Sequence, residues 1–341
     1  MVTPRQRMLD AIHFNHPDKI PLIYHDSPAG LYVHGQKLLD LFNAHPPDNL
    51  IMFQIYTPAS EAVDDSGRYH DLGKDIWGTE WEHLIFGVSG IPKRFPFTGW
   101  EAAADYVFPP RMSASRLFSS KKYAAARNQE KYLRIESGIS IFERLYELQP
   151  MEEVLIGLAV GDKHLLAFLE RLVDFWMDMI DDFLDLGADI IMFGDDWGTQ
   201  IAPFVSPALF RRIFVPHYRR MFERVKRAGC KVFFHSCGYL GPIFDELLDL
   251  GIDGLWPQIK LFEQWPNAVE KCVERRVTLY IHPDRQYLVP RGTPQEIEAA
   301  IRAYADRYHA LGGGGIFYIE IENDAPFENV KALIEAVDTY R

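Results

Sequence analysis

Along most of the chain, short apolar runs alternate with longer stretches whose apolar residues recur every three to four positions. Runs at 20–24, 49–56, 131–136, 190–193, 231–235, 253–256, 277–281 and 316–319, mostly bounded by Gly, Pro, Asn or Asp, predict eight β-strands. Helical periodicity covers 35–42, two short segments within 141–160, then 163–186, 206–228, 242–250, 267–275, 293–310 and 326–337. Thr3-Pro4 supplies a cap and a first-turn proline for a leading helix. The strands are apolar on both faces, as in a parallel sheet covered by helices, so the alternation predicts one (β/α)8 TIM barrel spanning 1–341. Between about 60 and 130 the pattern breaks into Gly, Pro and aromatic residues. This segment is expected to be a hairpin-rich insertion capping one end of the barrel, with a helix at 116–129. A doubly wound sheet is the alternative, but no Gly-x-Gly-x-x-Gly follows an early strand. Gly312 to Gly315 precede a strand, so they read as a loop.

Composition narrows the class. With 341 residues, 48% of them hydrophobic, the chain can bury a large core. Its net charge of -12 argues against a nucleic-acid surface. Three cysteines, Cys230, Cys237 and Cys272, are too few and odd in number for a disulfide framework. The N-terminal stretch is amphipathic and resembles neither a signal peptide nor a membrane span, so a cytoplasmic protein with no membrane contact is expected.

A parallel barrel gathers the carboxyl ends of its strands at one mouth. Those ends carry His25 and Asp26, Gln54 and Tyr56, Glu136, Asp195 and Asp196, His235 and Cys237, Gln258, His282 and Asp284, and Glu320 and Glu322. Any one of them is polar simply because loops are exposed; their joint occurrence points to chemistry. His235-Ser236-Cys237 is the sharpest signal, because positions i and i+2 on an extended chain share a face and zinc accepts both imidazole and thiolate. One of Asp195 and Asp196 could instead sit at the positive end of a helix. Cys230 and Cys272 read as structural.

The segments Gly194-Asp195-Asp196-Trp197-Gly198, Ser206-Pro207 with Phe210-Arg211 and Pro216-His217-Tyr218, and His235-Ser236-Cys237-Gly238 resemble the uroporphyrinogen decarboxylase superfamily. The likeness is to its cobalamin-dependent methyltransferase-like branch. It continues through Gly251-Ile252-Asp253, Pro257-Gln258, Asp284 with Gln286, Gly292-Thr293-Pro294 and Pro326-Phe327-Glu328-Asn329, and begins at Arg5-Gln6-Arg7 and Pro17-Asp18-Lys19-Ile20-Pro21. The superfamily fold is a (β/α)8 barrel. Its true decarboxylases carry an arginine-rich stretch after the first strand to hold a tetrapyrrole's carboxylates. Here that place reads His25-Asp26-Ser27-Pro28-Ala29-Gly30-Leu31, without arginine, so porphyrinogen decarboxylation is not expected.

The methyltransferase branch implies zinc held by His-x-Cys and a later cysteine near the eighth strand. His235 and Cys237 match the first two positions; no cysteine stands at 318–322. Glu320 is therefore the expected third ligand, with Glu322 or His282 next. A carboxylate in place of a thiolate leaves zinc a stronger Lewis acid, which favours demethylation of a methoxylated small molecule over methylation of a thiol. The methyl acceptor implied is a corrinoid (cobalamin) carried by a partner protein; a homodimer is compatible with the sequence. Asp195, Asp196 or Asp284 would supply protonation, and Gln258, Gln54, Tyr56 and His282 would contact the methyl donor. The alternative function is a decarboxylase-like lyase or metal-dependent hydrolase acting on a small acid.

Overall fold

The computed structural model describes residues 2–111 and 131–341. Its strands are β1 (Leu22–Tyr24), β2 (Asp71–Lys74), β3 (Glu80–His83), β4 (Ile91–Arg94), β5 (Ile135–Ile139), β6 (Ile190–Gly194), β7 (Lys231–Ser236), β8 (Gly254–Pro257), β9 (Thr278–Ile281) and β10 (Gly315–Ile319). The principal helices are α1 (Pro4–Ile12), α2 (Pro28–His34), α3 (Phe142–Leu148), α4 (Lys163–Asp185), α5 (Pro207–Arg227), α6 (Pro294–Leu311) and α7 (Phe327–Tyr340). Their starts follow from the sequence. Thr3, Asp162, Ser206 and Thr293 accept backbone N–H groups of the first turns, and Thr293 and Glu296 form a capping box.

Seven strands form one curled parallel sheet in the order β1-β10-β9-β8-β7-β6-β5, the barrel wall. Alternate residues face opposite sides. Ile23, Ile190, Met192, Phe233, Tyr280, Ile316 and Tyr318 fill the interior, and Met8, Ala11 and Ile12 of α1 close its lower end. Leu22, Tyr24, Ile191, Phe193, Val232, Phe234, Leu279, Ile281, Phe317 and Ile319 face the helices.

Two strand expectations are corrected. Residues 49–56 join no sheet, because side chains take up the free edge of β1. The Asn49 side chain bonds Tyr24 N and Tyr24 O at 3.1 and 3.0 Å, and Asp48 accepts from Leu22 N at 2.9 Å. Phe53 then stacks on Phe42 instead of continuing a ladder. The third strand lies at Ile135–Ile139, not 131–136, with a shift in register between Glu136 and Ile139 where Gly138 takes φ +99°. Glu136 is consequently no strand end, and binds Arg134.

The expected hairpins are present as the antiparallel sheet β2-β3-β4. Trp77, between β2 and β3, packs against Phe175 and Trp176 of α4 and under the Arg144 guanidinium of α3, and Thr79 donates to Glu147 O at 2.6 Å. Farther along, Phe86 meets Tyr32 of α2 at 5.0 Å, just beyond the end of β1. The expected helix at 116–129 falls outside the described residues. Among the described residues no helix is long and apolar enough to cross a membrane.

Asp48 is 3% exposed and accepts from Arg7 of α1, Arg341 just after α7 and the Leu22 amide of β1, so it ties two helices and the edge strand of the barrel wall to one carboxylate. Removing one partner of such a set strands the others. Asp48→Ala is expected to cost about 3–5 kcal/mol in denaturant-induced unfolding.

Candidate metal centre and active site

Strand parity sorts the residues at the mouth. On β7 the inward column runs Phe233, His235, Cys237; on β9 Tyr280, His282; on β10 Ile316, Tyr318, Glu320; on β6 Ile190, Met192, then past Gly194 to Asp196. The intervening Asp195 and Ser236 face outward, toward the helices.

Asp195 is 1% exposed. Its carboxylate accepts from Ile141 N at 3.0 Å, Glu143 N at 2.7 Å and the Tyr218 hydroxyl of α5 at 2.5 Å. It does sit at the positive end of a helix, but that helix is α3. Burial and the nearby Glu143 carboxylate push its pKa above the usual range, and the three donors oppose them. Trp197 completes the outward set: its indole donates to Tyr218 Oη at 2.9 Å, its amide donates to Ser236 Oγ at 3.0 Å, and its ring stacks on Phe142 at 4.3 Å. Asp195, expected to be catalytic, thus faces the helices with its carboxylate taken up by three donors.

Asp196 turns into the mouth. Its Oδ1 accepts from Cys237 N at 2.7 Å and lies 3.3 Å from His235 Nε2; Cys237 Sγ lies 3.6 Å from the same nitrogen. Glycine makes this approach feasible. Gly238 has φ +80°, and a Cβ there would fall 1.9 Å from Gly198 O, so the loops after β6 and β7 touch backbone to backbone. His235 is oriented from behind: Nδ1 donates to Trp256 O at 2.9 Å, which directs Nε2 at Asp196 and Cys237. Burial pushes the His235 pKa down, but Asp196 and Cys237 outweigh it and raise it to about 10. An imidazolium clasped by a carboxylate and a thiol is an arrangement a divalent cation can replace.

Among the described residues, Asp196, His235 and Cys237 form the cluster that could hold a metal ion, with ligand atoms within 4.8 Å of one another. Tetrahedral zinc at ordinary bond lengths needs about 3.3 Å between N and O ligands and about 3.6 Å between N and S. The separations here fit both. The expected third ligand, Glu320, is engaged elsewhere, 3.2 Å from His25 Nδ1 and 3.5 Å from Arg285; Glu322 takes Arg285 at 2.9 Å.

The remaining expected residues separate. Asp284 accepts from Lys260 Nζ at 2.7 Å and from the amides of Gln286 and Tyr287, which makes it a loop anchor and not a free acid. Gln258 stands on the rim and takes a hydrogen bond from Gln200 at 3.3 Å. Gln54 and Tyr56 lie on the exposed chain that joins no strand. His282, 6% exposed, lies in the mouth with Nδ1 accepting from the Trp256 indole at 3.3 Å. Four neighbours were not foreseen: Trp256, Arg285, Glu143 and Tyr146. Glu143 Oε1 accepts from Asp196 N at 3.3 Å and from Tyr146 Oη at 3.1 Å. Glu143 was hidden by the misplaced end of the third strand; Trp256 was legible as the inward residue of its own strand end.

Comparison with known proteins follows the fold. The model of the family "Uroporphyrinogen decarboxylase (URO-D)" matches residues 151–340. A solved methyltransferase from Methanosarcina mazei superposes over 100% of this chain and 99% of its own, with TM-score 0.65 and 18% identity, a likeness of fold. A B12-independent methionine synthase from Shewanella sp. W3-18-1 covers 81% of this chain and 74% of its own with TM-score 0.42 and 13% identity. A dihydropteroate synthase from Xanthomonas albilineans with 4-aminobenzoic acid covers 58% and 66% with TM-score 0.37 and 13% identity. No curated sequence matches the chain.

Burial holds the His282 pKa well below the ordinary 6.5, with Arg285 adding to the effect, so the folded protein keeps this ring neutral while the unfolded chain takes a proton below that pH. The stability gained is present above pH 6.5 and lost as pH falls. Relative to His282→Phe, the wild type should lose stability as the pH is lowered from 6.5, read from unfolding curves at each pH. In the same assay Asp195→Ala should cost about 3 kcal/mol or more, and Asp196→Ala roughly 1 kcal/mol.

Proposed function

The chain belongs to the uroporphyrinogen decarboxylase family, and from that premise we propose that it is a zinc-dependent methyltransferase. It moves a methyl group from a small methylated, preferably methoxylated, compound to a corrinoid on a partner protein. The observation that carries this reading is the N/S/O set of His235, Cys237 and Asp196 at separations suited to tetrahedral zinc. Two further facts support it. Residues 25–31 offer no arginine for a polycarboxylate substrate, and Arg285 in the mouth is paired with Glu320 and Glu322. The fold also matches a methyltransferase from end to end.

Zinc, when bound, would supply Lewis-acid polarisation of the oxygen that leaves as the methyl departs. The protein's own groups prepare the site. Trp256 O holds the His235 ring by Nδ1–H, so Nε2 is the ligand atom. Asp196 is fixed by the Cys237 amide, which keeps carboxylate and thiol on one side of the imidazole. Glu143, touching the Asp196 amide, is the carboxyl placed to pass a proton toward a leaving oxygen. One thiolate and one carboxylate leave the metal more electrophilic than two thiolates would, which favours an ether or similar methyl donor. The mouth opens to solvent at half-exposed His25 and the exposed loop at Thr199, a rim that a corrinoid-bearing partner can approach.

About one zinc per chain is expected by elemental analysis. His235→Ala and Cys237→Ala should abolish it, Asp196→Asn should weaken binding roughly tenfold or more, and Glu320→Gln should leave it unchanged. Zinc retained in both His235→Ala and Cys237→Ala would remove the site. For the reaction, reduced corrinoid protein and a methoxylated substrate should change the cobalt absorption spectrum. No change with any methoxylated or methylamine substrate and a competent corrinoid partner overturns the methyl-transfer reading.

A further inference from the structure

Trp256 stands between the two inward histidines and fixes them in opposite tautomers. Its carbonyl can only accept, so His235 Nδ1 must carry the proton and Nε2 is left for a metal. Its indole N–H can only donate, so His282 Nδ1 must be bare and the proton of the neutral ring sits on Nε2. That Nε2–H is buried and has no hydrogen-bond acceptor among the described residues. A buried donor without a partner is destabilising, a cost that an acceptor arriving with a ligand would remove.

The surroundings restrict the acceptor. Beside His282 stand aromatic faces: Tyr318 at 5.2 Å and Trp256 at 5.8 Å, with Tyr318 itself 4.2 Å from Trp256 and 5.4 Å from Tyr280. The charged groups of the mouth are already matched. Arg285 meets Glu320 and Glu322, and His25 lies between Asp26 at 2.8 Å and Glu320 at 3.2 Å. Asp196 and Glu143 add further carboxylates. Seated against His282, an incoming carboxylate would therefore lose its hydration without gaining an unpaired cationic side chain among the described residues, whereas a neutral oxygen pairs with a neutral N–H at little cost.

We propose that His282 selects the substrate, its Nε2–H donating to a carbonyl, hydroxyl or ether oxygen of an uncharged ligand seated against Trp256 and Tyr318, with Trp256 as the positioning residue. The methyl donor of the proposed reaction is then an uncharged, oxygen-bearing, partly apolar molecule. That identification rests on the methyl-transfer reading; the donor geometry does not.

The test uses zinc-loaded protein carrying 15N-labelled histidine, with 2-methoxyphenol and 2-methoxybenzoate as probes. Before ligand is added, His282 should show a bare Nδ1 and a protonated Nε2 near neutral pH. On addition of 2-methoxyphenol the Nε2–H proton should move downfield and exchange more slowly with water, and the same concentration of 2-methoxybenzoate should do much less. His282→Phe should weaken 2-methoxyphenol binding by about tenfold. Trp256→Phe, which keeps the backbone carbonyl, should retain zinc while the His282 tautomers mix. A proton found on Nδ1, an Nε2–H unmoved by 2-methoxyphenol, or a larger response to the carboxylate overturns the proposal. A silent corrinoid assay beside a positive 15N result would overturn only the methyl-transfer reading; the reverse pair of results would overturn only the role of His282.

Discussion

The mouth of this barrel depends on one buried carboxylate that faces away from it. Asp195 binds two amides at the start of α3 and the Tyr218 hydroxyl of α5, and so pins the end of β6 to two outer helices. With that end fixed, the next residue must turn inward, which delivers Asp196 to His235 and Cys237. The same hydrogen bonds hold the first turn of α3, so Glu143 stands beside Asp196. A cluster of titratable groups is costly to preorganise, and here the framework around Asp195 bears that cost in a fully paired site.

Trp256 plays the corresponding part on the other side. One residue satisfies both inner histidines with its two polar groups, and because one group only accepts and the other only donates, the two rings receive different roles. His235 is left with Nε2 aimed at a carboxylate and a thiol, and His282 with a proton aimed into an aromatic recess. Two identical side chains are set apart by the different groups that lie behind them.

The electrostatics of the mouth follow the same division. Carboxylates outnumber cations there, which suits a divalent metal at His235, Cys237 and Asp196. Arg285 and His25 are held by Glu320, Glu322 and Asp26, so that part of the mouth is nearly balanced. Within this balance Glu320, the expected third ligand, lies against Arg285 and His25.

The sequence by itself determined the barrel, seven of its strands and the principal helices among the described residues, because apolar period and capping residues are local properties. It also determined that His235 and Cys237 share a face, and strand parity separates Asp196 from Asp195. What only the tertiary structure decided are relations between strands. Whether residues 49–56 joined the sheet depended on Asp48 and Asn49 filling the edge of β1. The third strand ended beyond its apolar run because Gly138 shifted the register, which hid Glu143. Which carboxylate meets His235 and Cys237 was set by the contact of Gly198 with Gly238 across two loops and by Arg285 drawing Glu320 away. Such choices are made by distances between residues far apart in the chain, and no local pattern records them.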